Sequence, residues 1–286
     1  MEPKSIDAAE FRDTQRDQWN SAAVGWNEWS ELIDRSAGKV SERLVEMAGI
    51  KEGDRVLDVA AGYGEPSLTA ARRVGPEGSV VATDISAEML EFGGKRAAAN
   101  DVENIEFMQS DASSLDFPPE SFDAAVSRWG IIFEPDGEGA AAKVRGFLKR
   151  GGRFAISSWG PPDRVPFIAI AMKTAMEKLE VPPPPPGTPG PLSRPTPEAI
   201  GGLLEGGGFT GVEVEELEVT WPFDSAEEYT AYAKAIVAPV VAMISPHPEE
   251  VQRETWQAIT DAAREHAGSD GRIEFQNQVL VAAGQA

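Results

Sequence analysis

Between Arg55 and Ser67 the chain reads R-V-L-D-V-A-A-G-Y-G-E-P-S, and few folds accommodate that order. Val56, Leu57 and Val59 form a short apolar run with β-branched residues, the pattern of a buried strand. Ala60, Ala61, Gly62 and Gly64 follow, and an apolar segment opens again at Leu68, Ala70 and Ala71. The order predicts a strand, a small-residue turn and a helix start. Without bulky β-carbons, backbone N–H groups can approach a ligand. The first helical turn adds unpaired donors and a partial positive charge. Taken alone, the stretch is either a seat for a polar or anionic ligand group or an ordinary strand–helix turn of an α/β protein.

The next segments narrow the choice. Ser79 to Asp84 (S-V-V-A-T-D) is a second apolar strand ending in an acid, twenty residues beyond Gly64. Doubly wound folds place a carboxylate there, against ribose hydroxyls. A third strand, Ile105 to Gln109, runs into Ser110, Asp111 and Ala112. A fourth is predicted over Phe122 to Ser127, then a helix near 138–149, a turn at Gly151-Gly152 and a fifth strand over 153–158. Alternating strands and helices predict a parallel sheet.

These pieces carry a resemblance. V-L-D-V-A-A-G-Y-G, V-V-A-T-D-I-S-A-E-M-L, Q-S-D-A, F-D-A-A-V-S-R-W-G and L-K-R-G-G-R-F-A-I-S-S-W resemble, in order and spacing, the class I S-adenosylmethionine-dependent methyltransferases. The group is the broad one that includes the ubiquinone and menaquinone methyltransferases. T-P-E-A-I-G-G-L-L-E-G-G-G-F resembles that family's last core helix. The resemblance implies an α/β fold: a doubly wound, mostly parallel seven-stranded sheet, its last strand antiparallel, with helical lid insertions. Ala60 stands where the family usually has the first glycine of the turn. Alanine permits close approach but not positive φ without strain, and the turn is expected to tolerate it.

The resemblance also assigns roles. Gly62 and Gly64, with Ala60, would let the backbone approach the methionine portion of S-adenosyl-L-methionine. Asp58 would orient the turn or reach the cofactor's ammonium through water. Asp84 would accept from the ribose hydroxyls, Ile85 and Met89 would pack on adenine, and Asp111 beside Ala112 would accept from its amino group. Trp26 fills the place of an aromatic near the cofactor, and Ser127 and Arg128 would border the methyl-transfer centre. Arg128 would pair with a substrate carboxylate or with Glu134 or Asp136. Trp19, Trp129, Phe133 and Trp159, with Ile131 and Ile132, suggest a small apolar or aromatic substrate methylated on oxygen, nitrogen or carbon. His247 and His266 are the only histidines. His247 is the candidate should an oxygen nucleophile need a general base.

Composition closes other routes. Acids number 47 against 26 bases, a net charge of −21, so nucleic acid would be repelled. With no cysteine, disulfides, thiolate zinc sites and cysteine nucleophiles are excluded. No apolar run is long enough for a membrane span. The opening M-E-P-K-S-I-D-A-A-E is polar, with no signal-peptide core, and the expected location is the cytoplasm. Self-association as a homodimer is left open. A nicotinamide-dependent oxidoreductase is the first rival, but G-x-G-x-x-G would need glycine at Ser67. A non-catalytic protein that binds the same cofactor is the second.

Residues 1–50 are read as a helical cap. One helix runs over Phe11 to Ser30, with Trp19, Ala23 and Trp26 on one face, and another over about 39–48. The cofactor core spans 51–160. A proline-rich helical insertion covers 161–195, with five prolines at 182–186, and the core resumes over 196–223. A helical lid covers 224–268, opened by an Asp224/Glu227 capping box, and the last core strand lies in 269–286. The two insertions are the expected substrate cover. Glu213, Glu215, Glu216 and Glu218 are read as a solvated face.

Overall fold

A computed structural model describes residues 8–185 and 187–286. Residues 1–7, where the expected cap and the polar N-terminal stretch begin, and Pro186, last of the five prolines, lie outside the described residues. Strands β1 (Arg55–Val59), β2 (Ser79–Asp84), β3 (Ile105–Gln109), β4 (Phe122–Arg128) and β5 (Leu148–Trp159) form the parallel part of one sheet. β6 (Thr210–Phe223) and β7 (Ile273–Gln285) complete it in the order β3-β2-β1-β4-β5-β7-β6. β7 runs antiparallel to both of its neighbours. The doubly wound seven-stranded sheet with its antiparallel last strand is thus as expected.

Helices α1 (Ala8–Glu28) and α2 (Ser30–Met47) precede the sheet. α3 (Ser67–Val74), α4 (Ala87–Ala99) and α5 (Gly137–Phe147) connect its strands. α6 (Pro166–Leu179) and α7 (Pro197–Gly206) follow β5. α8 (Ala226–Ile236), α9 (Ala238–Ile244) and α10 (Glu249–Arg264) lie between β6 and β7. Alternation along β1 shows how the layers form. Val56 packs into the core shared with α2, α3 and the insertion helices. Leu57 and Val59 face the opposite core, built with α5 and α7. Asp58 shares a face with Val56 and meets α3, where Ser67 Oγ donates to its Oδ2 at 2.5 Å.

Several boundaries differ from the sequence reading. α2 begins at Ser30, not near 39, because Ile33, Ala37, Val40 and Leu44 continue one buried stripe back to Trp29. Gly151-Gly152 is not a turn before β5 but an excursion within it. Pairing with β4 jumps from Leu148 to Arg153, and Gly151 takes φ +80°. The lid's capping box is shifted by one residue. Ser225 Oγ accepts from Glu228 N–H at 3.1 Å, and the Glu228 carboxylate accepts from Asp224 N–H. α9 is a separate helix that the sequence did not signal. The acids of β6 lie on the sheet's edge strand, and Glu215 accepts from Arg43 on α2 at 2.5 Å.

Candidate functional site

The order β3-β2-β1-β4 reverses direction between β1 and β4, and ligands of such sheets bind at the carboxyl ends of the strands there. At that point β1 ends in the Ala60–Gly64 turn. Asp84, last residue of β2, is buried and reaches the turn. Its Oδ2 accepts from Gly62 N–H at 2.8 Å and its Oδ1 from Ser86 N–H at 2.8 Å. Burial pushes its pKa up to about 6 against the pull of these donors. Ser86 also caps α4, accepting from Met89 N–H at 3.1 Å, which sets Met89 and Ile85 at the rim.

The strand ends open into a cavity enclosing about 1410 Å³ of empty space, part of it continuous with solvent. The structure brings most of the expected residues to its wall. Ala60, Gly62, Asp84, Ile85, Met89, Asp111 and Ala112 line one region. Trp19, Trp26, Arg128, Trp129, Phe133 and Trp159 line the rest. Trp129 and Trp159 stack at 4.2 Å, and Trp19 meets Trp26 edge-on at 6.1 Å. The insertions cover this chamber through Phe167 and Ile168 of α6 and Tyr232 and Ile236 of α8.

Asp58, Gly64, Ser127 and His247 are not on the wall. Asp58 is wholly buried and braces the turn through Ser67. Its Oδ1 has no partner, and burial pushes its pKa up to about 7. Gly64 serves packing: a β-carbon on it would lie 3.2 Å from Gly93 Cα of α4. Ser127 Oγ accepts from Ile131 N–H at 3.0 Å and holds the turn after β4. His247 follows α9, its backbone spanned by bonds to Ile244 and Gln252, so the expected general base is not at the site. His266 packs against Phe275, centroids 5.6 Å apart, and is likewise not on the wall.

Arg128 pairs with neither Glu134 nor Asp136. It is buried, and its Nη1 donates to Ser41 Oγ at 2.9 Å and its Nη2 to the Tyr63 hydroxyl at 3.2 Å. Tyr63 itself donates to Asp34 Oδ1 at 2.9 Å, and its ring lies 5.6 Å from that of Trp26. Sequence reasoning gave Tyr63 no role, although its place between two turn glycines marks it. It named Glu134 only as a partner for Arg128, whereas Glu134 lines the cavity. Burial, with Asp111 nearby, pushes that carboxyl up to about 7. Trp221 and Phe167, stacked at 4.8 Å behind Trp159, were likewise unassigned.

The turn carries strain as well as ligand-facing backbone. Ala60 adopts φ +57° and Trp129 φ +56°, conformations that cost on the order of 1–3 kcal/mol each and gather at functional sites. The alanine at the family's glycine position therefore takes the positive φ that only glycine adopts freely.

Residues 56–152 match a family model described as a methyltransferase domain. The chain is 35% identical over 142 residues to the aklanonic acid methyltransferase DauC of Streptomyces sp. (strain C5), across 46% of this chain and 64% of that one. It is 30% identical over 161 residues to the ubiquinone/menaquinone biosynthesis C-methyltransferase UbiE of Pseudomonas savastanoi pv. phaseolicola, across 56% and 63%. Both matches thus span just under two thirds of the curated relative. The fold is similar to that of phosphoethanolamine N-methyltransferase 2 of Haemonchus contortus, solved in complex with S-adenosyl-L-methionine. There the TM-score is 0.60 at 18% identity, covering 99% of this chain and 61% of that one. A methyltransferase domain implies S-adenosylmethionine as cofactor, and the residues present fit it. A β-carbon on Gly62 would meet nothing within 4 Å, so that backbone lies open, and Asp84 stands beside it with an acid's acceptor capacity.

Proposed function

We propose that this chain is an S-adenosylmethionine-dependent methyltransferase acting on a small apolar or aromatic metabolite. The observation that supports it most is the Asp84–Gly62 contact at the sheet's switch point, opening directly into a chamber walled by tryptophans. When bound, the cofactor supplies a methyl group already activated on a sulfonium. The chain's residues then need mainly to align, and alignment is worth on the order of 7–11 kcal/mol in well-oriented systems. Asp84 would hold the ribose and the Gly62 turn the methionine portion, Asp111 and Ala112 would border the base, and Trp129, Trp159 and Phe133 would hold a flat acceptor and exclude water. The relatives' names, an aklanonic acid methyltransferase and a ubiquinone/menaquinone biosynthesis C-methyltransferase, agree with a small-molecule acceptor.

Glu134 replaces His247 as the candidate base for an oxygen nucleophile, since a carboxyl titrating near 7 on the cavity wall suits proton transfer at neutral pH. Phenols, quinone precursors, amines and aromatic carboxylic acids, incubated with the protein and S-adenosylmethionine, test the proposal through release of S-adenosylhomocysteine. Turnover of at least one flat acceptor is expected. Tight cofactor binding with no turnover across the panel would make the chain a non-catalytic binder instead.

A further inference from the structure

The aromatic end of the chamber holds hydrogen-bond donors with nothing to receive them. Trp129 is only 8% exposed, and its Nε1 has no partner among the described residues. Tyr232 is buried on α8, and its oxygen accepts from Trp221 Nε1 at 3.0 Å. No acceptor for the Tyr232 hydroxyl proton stands among the described residues. Burial holds that hydroxyl far above the ordinary tyrosine range, so it keeps the proton. The bond it accepts also polarises it as a donor. Both residues line the cavity, and Trp221 stands beside each, its ring centroid 6.3 Å from that of Trp129. One donor is thus carried by the core, directly after β4, and the other by the lid. Trp129 is held in place at φ +56°, its N–H donating to Ser157 Oγ at 3.0 Å.

A buried donor left unpaired costs about 1–3 kcal/mol, and the few polar groups of an apolar pocket fix a ligand's orientation. Around these two donors the wall is apolar, with Trp159, Phe167 and Ile236. A substrate hydroxyl or amine would bring further donors to an end already in surplus. A carboxylate would have to leave water for apolar walls. The Arg128 guanidinium lies 5.4 Å from the Trp129 ring, but it donates toward Ser41 and Tyr63. A neutral carbonyl oxygen has two lone pairs and no proton, which matches two donors. We propose that Trp129 Nε1 and the Tyr232 hydroxyl recognise a carbonyl oxygen on the flat acceptor, so that the substrate is an aryl or conjugated ketone. The bound oxygen thereby ties α8 of the lid to the end of β4. The proposal rests on the reading of this chamber as the acceptor's seat.

The probes are fluorenone, fluorene, fluorenol and fluorenecarboxylate, which share one ring system and differ at a single carbon. Equilibrium dialysis against the full chain, saturated with S-adenosylhomocysteine, gives their affinities. Fluorenone should bind about tenfold tighter than fluorene, as two hydrogen bonds allow, and tighter than the alcohol or the carboxylate. Its infrared carbonyl stretch should fall, on binding, below the frequency it has in an apolar solvent. Tyr232→Phe and Trp129→Phe should each cut the preference for fluorenone over fluorene by about threefold or more, and each should return the stretch part-way. Should Y232F not fold, because Trp221 loses its acceptor, W129F and the wild-type stretch carry the test. Equal affinity for fluorenone and fluorene, an unshifted stretch, or a preference for the alcohol or the carboxylate would overturn the proposal. Variants that weaken fluorenone and fluorene alike would do the same. A chain that does not bind S-adenosylhomocysteine would instead remove the methyltransferase reading, and this proposal with it.

Discussion

Gly130 and Ala60 meet so closely that a β-carbon on Gly130 would stand 2.3 Å from the Ala60 β-carbon. The ends of β4 and β1 are thereby locked together at the point where the sheet changes direction. Gly130→Ala should destabilise the chain by about 1–3 kcal/mol, the usual range for overpacking. Ala60→Gly should release the φ +57° strain, worth about 1–2 kcal/mol less the entropy of glycine. Combining the two should recover part of the G130A loss, because the clash has lost one partner. Urea unfolding of the four proteins measures the coupling, and strict additivity would mean that the contact is relieved elsewhere.

Asp84 accepts from two backbone N–H groups, one on each oxygen. An asparagine offers only one oxygen, so Asp84→Asn turns its amide N–H₂ toward a donor. It should lower S-adenosylhomocysteine affinity by at least about tenfold and stability by about 1–3 kcal/mol, the cost of a buried donor left unpaired. Calorimetry and thermal unfolding read the two effects separately. A change in stability with unchanged affinity would confine Asp84 to bracing the turn.

The buried acids make stability depend on pH. Asp58 has its pKa raised, chiefly by burial, to about 7 from an ordinary 3.8. Its folded state holds a proton that the unfolded chain releases, so its contribution is fully present below the unfolded pKa and is lost as pH rises through about 7. Asp84, raised to about 6, and Glu134, raised to about 7, act in the same direction. Asp58→Asn keeps the Ser67 contact without the ionisation. It should therefore flatten the stability loss between pH 4 and 8, gaining on the order of a few kcal/mol at the upper end and almost nothing at the lower. Chemical unfolding at several pH values checks this, and parallel profiles for the two proteins would contradict it.

Strand ends were legible because their signal is local. Apolar runs fix β1, β2 and β3, and a polar or small residue at each end marks the cavity without knowledge of the rest. The spacing of Trp19, Ala23 and Trp26 likewise gives one helix face. What stayed hidden was long-range. Arg128 could be placed at a strand end, but its partners Ser41 and Tyr63 lie 87 and 65 residues away. The shift of the lid's cap from Asp224/Glu227 to Ser225/Glu228 had a different cause. Two registers one residue apart satisfy the same motif, and burial of Tyr229, Tyr232 and Ile236 selects between them. His247 drew notice only as one of two histidines, and rarity does not place a side chain.

Gly25 sets how closely the N-terminal helix approaches the lid. A β-carbon there would lie 2.5 Å from the Ala235 carbonyl oxygen and 2.8 Å from its β-carbon. α1 carries Trp19 and Trp26, and α8 carries Tyr232 and Ile236, all on the cavity wall. The helix-to-helix distance therefore sets the width of the chamber. On an exposed helix Gly25→Ala would stabilise the chain by about 1 kcal/mol through helix propensity. Here the clash with Ala235 should reverse the sign, costing about 1–3 kcal/mol as overpacking does. α1 should then exchange its amide hydrogens faster than β1 and β2, and S-adenosylhomocysteine affinity should fall by about three- to tenfold as Trp26 moves off Tyr63. Hydrogen exchange and calorimetry on G25A make both measurements. A stabilised variant with unchanged exchange would show that α1 and α8 can separate without disturbing the site.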